Sequence, residues 1–185
     1  KKLGMPVGPI ALMDEVGIDI GAHVMAGEMS QLVAQREGVK ISKALPKMFE
    51  AGYLGKKNKK GFYKYDNKKG KKSGENMNAY SFFGSPKKIN FSNEQINERT
   101  ILLLLNEAVM CLEEGIIDNA KDGDIGGVFG IGFLPWSGGP FSYMNQFGIE
   151  NIVSRMNTQM KSHGPKFKPR PLLLKMEEES SQFNV

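Results

Sequence analysis

The chain has 185 residues, of which 40% are hydrophobic and 24% charged, with a formal net charge of +5. It is long enough for one ordinary domain or two small ones and apolar enough to bury a core, which excludes wholesale disorder. No apolar run approaches the roughly 18 residues of a membrane span, the start shows no signal-peptide pattern, and the single cysteine, Cys111, excludes an internal disulfide.

The charge is local. Nine lysines and one acid, Asp66, fall within residues 55–72, and the rest of the chain holds 16 basic and 19 acidic residues. A nucleic-acid binder carries a broader basic footprint, so that class is set aside.

In chain order, the first segment is one half of a repeat. Residues 8–19, from Gly8-Pro9-Ile10 to Gly17-Ile18-Asp19, align without a gap to residues 139–150, from Gly139-Pro140-Phe141 to Gly148-Ile149-Glu150. This reads as an internal duplication. Proline at a first helical position costs no hydrogen bond, so Pro9 and Pro140 each start a short helix. Gly17 and Gly148 end them. In the first copy a second helix follows, with Ile20, Val24, Ala26, Met29 and Val33 as its apolar stripe. In the second copy Ile149, Ile152, Val153, Met156 and Met160 form the corresponding stripe, and Gly164-Pro165 stops the helix. The chain opens on Lys1 and is inside a motif by Gly4, which reads as a beginning cut from a longer protein.

Residues 55–90 are rich in Lys, Gly, Asn and Ser around Phe62-Tyr63-Lys64-Tyr65, predicting a short extended element and then a flexible linker. Ser92 with Gln95 predicts a capping box, with Phe91 and Ile96 as a hydrophobic staple. The helix it opens carries Ile101, Leu104, Leu105, Ala108 and Leu112 on one face and ends near Gly115. Residues 123–139 hold seven glycines and predict tight turns between packed helices. The polar tail after Glu177 is expected to fray. Strand signals are scarce, and the class is all-α.

Catalytic constellations are missing from this pattern. His23 and His163 lack metal-ligand spacing, and Cys111 sits in an apolar helix as a small core residue. Gly130-Ile131-Gly132 meets Pro135 where a dinucleotide fingerprint needs its third glycine, and a helix, not a strand, precedes it. Asp122 and Asp124 read as turn residues. Lys56, Lys57, Lys59 and Lys60 beside Phe62-Tyr63 offer cations and aromatic faces to a phosphate-bearing ligand, or simply form a solvated loop.

Together, Gly4-Met5-Pro6-Val7-Gly8-Pro9-Ile10 with Asp14-Glu15-Val16-Gly17-Ile18-Asp19, Gly55-Lys56-Lys57-Asn58 with Gly61-Phe62-Tyr63-Lys64-Tyr65, and Asn106-Glu107-Ala108-Val109 with Gly123-Asp124-Ile125-Gly126 and Phe129-Gly130-Ile131-Gly132-Phe133 resemble the helical region of the 3-hydroxyacyl-CoA dehydrogenase family. Within it they resemble the α subunits of multifunctional fatty acid oxidation complexes. The resemblance implies duplicated helical domains like the C-terminal domain of 6-phosphogluconate dehydrogenase, the first copy truncated. It divides the chain into a first repeat at 1–72, a linker at 73–90 and a second repeat at 91–185. It further implies NAD-dependent oxidation of 3-hydroxyacyl-CoA by a longer parent that also hydrates enoyl-CoA. The NAD fold and catalytic residues would lie upstream, leaving no catalytic, cofactor-binding or metal residue in this chain, which is inactive alone.

The family's substrate-contacting asparagine falls at Glu98 in the second repeat, which an acid there makes structural. The residue implied to line the acyl-CoA site is Phe129, and Lys56, Lys57 and Lys60 complete the expected substrate-binding set. The implied partners are a thiolase β subunit and a second copy, with the bacterial cytoplasm as compartment and the mitochondrial matrix as the alternative. The competing function is a non-catalytic dimerisation or thiolase-docking module.

Overall fold

The computed structural model describes residues 3–66, 70–84 and 89–185. These form two compact units, one drawn from Val7–Asn90 and the other from Lys1–Pro6 with Phe91–Val185. The helices are α1 (Pro9–Val16), α2 (Ile18–Ala26), α3 (Glu28–Ala34), α4 (Ala44–Glu50), α5 (Asn93–Glu113), α6 (Ala120–Ile131), α7 (Pro140–Phe147), α8 (Ile149–His163) and α9 (Pro171–Glu178). Two short strands, β1 (Tyr63–Tyr65) and β2 (Lys72–Glu75), pair antiparallel with a register irregularity at Lys64/Tyr65. The all-α class holds, with this one hairpin added.

The larger core belongs to the second unit. The Ser92 hydroxyl accepts the Gln95 amide at 3.2 Å and the Gln95 side chain accepts the Ser92 amide at 2.9 Å, so the capping box is present. Phe91 is exposed and lies under the Arg99 guanidinium. Helix α5 buries Ile101, Leu102, Leu105, Val109 and Met110, and α8 buries Ile149, Ile152, Val153 and Met156. Phe133, Leu134, Phe141, Met144, Phe167 and Leu173 close the same cluster. Burying a large apolar side chain contributes about 1.5–3 kcal/mol, so this cluster dominates the unit's stability.

The first unit has a smaller core of Ile18, Met48, Tyr53 and Ala79, with Met13, Leu45, Phe62 and Phe82 packed against it. Three expectations change here. The helix after Gly17 breaks at Gly27 into α2 and α3, and Ile20, Val24, Met29 and Val33 are exposed, while Ile18 and Ala22 face inward. Helix α4 packs on the Ile18 side of α2 through Leu45 and Met48, so the Ile20 and Val24 face has no neighbour among the described residues to bury it. Residues 73–90, expected as a linker, contain most of β2 and a 3-10 helix, Met77–Phe83. Its Ala79 is buried, and Phe82 meets Tyr53 edge-on with ring centroids 5.1 Å apart. The two units meet at Asn90/Phe91 in sequence.

Two further corrections concern the second unit. The glycine-rich stretch is largely helix α6, not turns, and Gly123 and Gly127 in it face Phe141 and Pro140 at distances that leave no room for a Cβ. The tail does not fray at Glu177. Phe183 is buried, edge-on to Phe141 at 4.9 Å.

Candidate functional site

The two copies of the duplicated segment share backbone geometry at a constant offset. Helices α1 and α7 each open on proline after a glycine and end before a glycine of positive φ, Gly17 or Gly148. The Leu12 amide donates to Gly8 O and the Tyr143 amide to Gly139 O, both at 2.9 Å.

Asp14 on α1 is fully buried. Its Oδ1 accepts the Phe62 amide, and its Oδ2 accepts the Tyr63 amide and the Tyr65 hydroxyl, all at 2.9 Å. Gly61 sits so close to this carboxylate that a side chain there would overlap it. Burial first, and then the bond to Asp14, push the Tyr65 phenol well above its usual value. The matching residue on α7 is Asn145, whose side chain accepts the Phe183 amide and donates to Phe183 O, both at 2.9 Å. One helix position thus clasps the aromatic segment that closes each repeat. Only the alignment of Asp14 with Asn145 signals this in the sequence, because their backbone partners lie 38 or more residues away.

A second clasp is formed by Asp124, read from sequence as a turn residue. It is buried on α6, accepts the Phe141 amide at 2.7 Å and the Ser142 amide at 3.0 Å, and takes the Ser142 hydroxyl at 2.6 Å. These are orphan donors at the start of α7, and a carboxylate there also meets the positive end of the helix.

The expected ligand lysines lie in a built turn. Asn58 accepts the Leu54 and Lys60 amides and donates to Gly52 O, while Gly55 and Lys60 pair their backbones. Lys56 Nζ is 2.7 Å from Glu15 and Lys57 Nζ is 2.7 Å from Asp19. The Lys57 bond is the main reason the Asp19 carboxyl lies below its ordinary value. Lys60 donates to Ala51 O at 2.8 Å and lies over the Tyr53 ring. A phosphate would compete with these acceptors.

In the other unit Phe129 is 85% exposed on α6, and Ile125 one turn before it, Ile131 and Trp136 are exposed as well. Glu98 pairs with Arg155 through two bonds of 2.9 and 2.6 Å, and this pairing raises the Arg155 guanidinium still further. His23 takes Asp19 O as its partner at 2.8 Å. Gly123 and Gly127 of α6 serve helix packing while Gly126 and Gly130 are open, and a helix there does not fit a dinucleotide-binding loop, so these residues give no footing for NAD chemistry. No helix among the described residues is long and apolar enough to cross a membrane.

Residues 1–65 match the family described as 3-hydroxyacyl-CoA dehydrogenase, C-terminal domain. Over 97% of its length the chain is 43% identical to a fatty acid oxidation complex subunit alpha of Vibrio vulnificus, and over 98% it is 40% identical to one from a Shewanella species. It spans about a quarter of the length of these relatives. The fold is shared with 3-hydroxybutyryl-CoA dehydrogenase of Escherichia coli K12, with a TM-score of 0.67 and 18% identity over 96% of this chain and 52% of that one. It is shared too with the dehydrogenase part of multifunctional enzyme 1 from C. elegans, with a TM-score of 0.58 and 19% identity over 94% of this chain and 39% of that one. Sequence and fold agree, and the chain belongs to the helical C-terminal region of the 3-hydroxyacyl-CoA dehydrogenase family.

Proposed function

We propose that the chain is the C-terminal helical part of a fatty acid β-oxidation multifunctional enzyme, in which it supplies substrate-side and packing surfaces. The full-length parent oxidises 3-hydroxyacyl-CoA with NAD and hydrates enoyl-CoA, in the bacterial cytoplasm, and its partner is a thiolase β subunit. The observation that carries this is the identity to fatty acid oxidation complex α subunits along nearly the whole chain. On this reading Phe129 forms an apolar wall of the acyl-CoA site, since its ring is presented to solvent. Lys56, Lys57 and Lys60 contribute to phosphate binding only by exchanging Glu15, Asp19 and Ala51 O for the ligand.

Calorimetry with an acyl-CoA tests this reading. Binding that weakens at least tenfold in Phe129→Ala supports the wall, and binding unchanged in that variant removes it. If Lys56→Ala and Lys57→Ala leave the affinity unaltered, the lysines are structural ties.

A second reading, dimerisation or thiolase docking, is favoured by the exposed Ile125, Phe129, Ile131 and Trp136. Sedimentation showing dimers that Phe129→Asp dissolves, without acyl-CoA binding, would select it.

A further inference from the structure

A short segment of the first repeat folds with the second unit. Leu3–Pro6 joins residues 91–185, and the division between the units falls at Pro6/Val7, just before Gly8 opens α1. Leu3 and Met5 pack on the larger core, while Gly4 and Pro6 between and after them are exposed.

Three contacts hold this strap. Leu3 O accepts the Trp136 indole N–H at 3.1 Å. Gly4 has a φ of +118°, and a side chain there would stand 3.0 Å from Trp136 Nε1 and 3.6 Å from Leu134. Glycine is required at this position by its backbone conformation and by the close approach of the indole. Pro6 lies against Gly132, the left-handed cap of α6, where a side chain would meet it at 3.2 Å. At the offset that aligns Gly8 with Gly139, Leu3–Pro6 matches Leu134–Ser137. The strap of one copy thus rests on Leu134 and Trp136, which hold its own place in the other.

We infer that Trp136 is a positioning residue for the substrate side of the parent enzyme, acting through the strap. This rests on the reading of the chain as the substrate-side part of a longer dehydrogenase. The strap links two things that matter on that reading. Through Pro6 it touches the end of α6, three residues after Phe129, and through the backbone it runs directly into α1. The indole N–H fixes the strap from one side and the absent side chain of Gly4 admits the indole from the other. Trp136 therefore touches no reacting atom. Losing its hold removes binding that the ground state and the transition state share, which raises KM and leaves kcat in place.

Steady-state kinetics of the full-length protein test this with two variants that break the contact from opposite sides. Trp136→Phe keeps a ring beside Tyr143 and removes the N–H, whereas Gly4→Ala keeps the N–H and displaces the indole. Each should raise KM for 3-hydroxyacyl-CoA about fivefold, the order of one hydrogen bond, with kcat and KM for NAD unchanged. The melting temperature should stay within about 2 °C of the parent, and Trp136→Phe decides the matter if Gly4→Ala melts lower than that. The double variant should do no more than either single, because both break one contact. In the 185-residue chain, exchange of the Trp136 indole proton should quicken about tenfold in Gly4→Ala.

An unchanged KM for 3-hydroxyacyl-CoA in Trp136→Phe, an equal rise in KM for NAD, or effects that multiply in the double variant would overturn the positioning role. Indole exchange unaltered by Gly4→Ala would overturn the contact itself. Dehydrogenase activity with an unmoved KM sinks this inference alone, whereas a full-length protein without dehydrogenase activity sinks the functional reading and this inference with it.

Discussion

Exchanging the clasp residues between the two copies isolates what each contributes. Asp14→Asn keeps shape but leaves one good acceptor where three donors converge, the amides of Phe62 and Tyr63 and the hydroxyl of Tyr65. The Tyr65 hydroxyl can rotate to accept from the new side-chain amide, but the Tyr63 amide then faces another donor. Losing one bond to a charged acceptor and stranding a buried amide costs about 3 kcal/mol. A shift of about 4–8 °C per kcal/mol for a unit of this size puts the loss at about 12–24 °C in melting temperature. The assay is built in, since Trp136 lies in the second unit while four of the five tyrosines, Tyr53, Tyr63, Tyr65 and Tyr80, lie in the first and Tyr143 alone in the second. The tyrosine-detected transition should move down with the tryptophan signal nearly fixed. Asn145→Asp should do the reverse, by about 1–2 kcal/mol, because a carboxylate oxygen would face Phe183 O. A tyrosine transition within 2 °C of the parent in Asp14→Asn would refute the reasoning, as would equal movement of both signals.

Other outcomes follow from the same geometry. Gly123→Ala should destabilise the second unit by about 1–3 kcal/mol through overlap with Phe141 and Ile117, whereas Gly126→Ala, open to solvent on the same helix, should stabilise it by about 0.5–1 kcal/mol, both read by urea unfolding. Phe183→Ala should cost about 3 kcal/mol by emptying a site against Phe141, a loss that a fraying tail would not show in the same melt. Because the fold holds the Tyr65 phenol protonated above its usual value of 10.0, the unfolded chain binds fewer protons above that pH. The first unit should therefore be stable below about pH 10 and lose stability as pH rises beyond it, a dependence that Tyr65→Phe removes when followed by ultraviolet titration and melting.

Local signals carried the sequence reading where one short motif decides the outcome. Ser92 and Gln95 marked a helix start, and Pro9, Gly17, Pro140 and Gly148 bounded two short helices, because capping and φ preferences act within four residues. They failed where a distant partner decides. The glycines at 123 and 127 read as turns until Phe141 and Pro140 are seen against them, and Asp124 read as a turn residue until the open amides of α7 are placed beside it. Ile20 and Val24 read as core because periodicity shows a face but not which neighbour exists to cover it. Of the candidate ligand residues, Phe129 is exposed on α6, as a surface aromatic on a helix is. Lys56, Lys57 and Lys60 read as ligand contacts from their charge and the neighbouring Phe62-Tyr63, a pattern that does not reveal Glu15 and Asp19 folding back onto Lys56 and Lys57.

The central claim is that this chain is scaffold for a reaction whose chemistry lies elsewhere in a longer enzyme. The direct measurement is NADH formation from a 3-hydroxyacyl-CoA and NAD, with the purified 185-residue chain and with the full-length protein side by side. The account predicts turnover by the full-length protein and none above background by the chain. Sustained NADH formation by the chain alone, abolished by heat and by no removable contaminant, would contradict it.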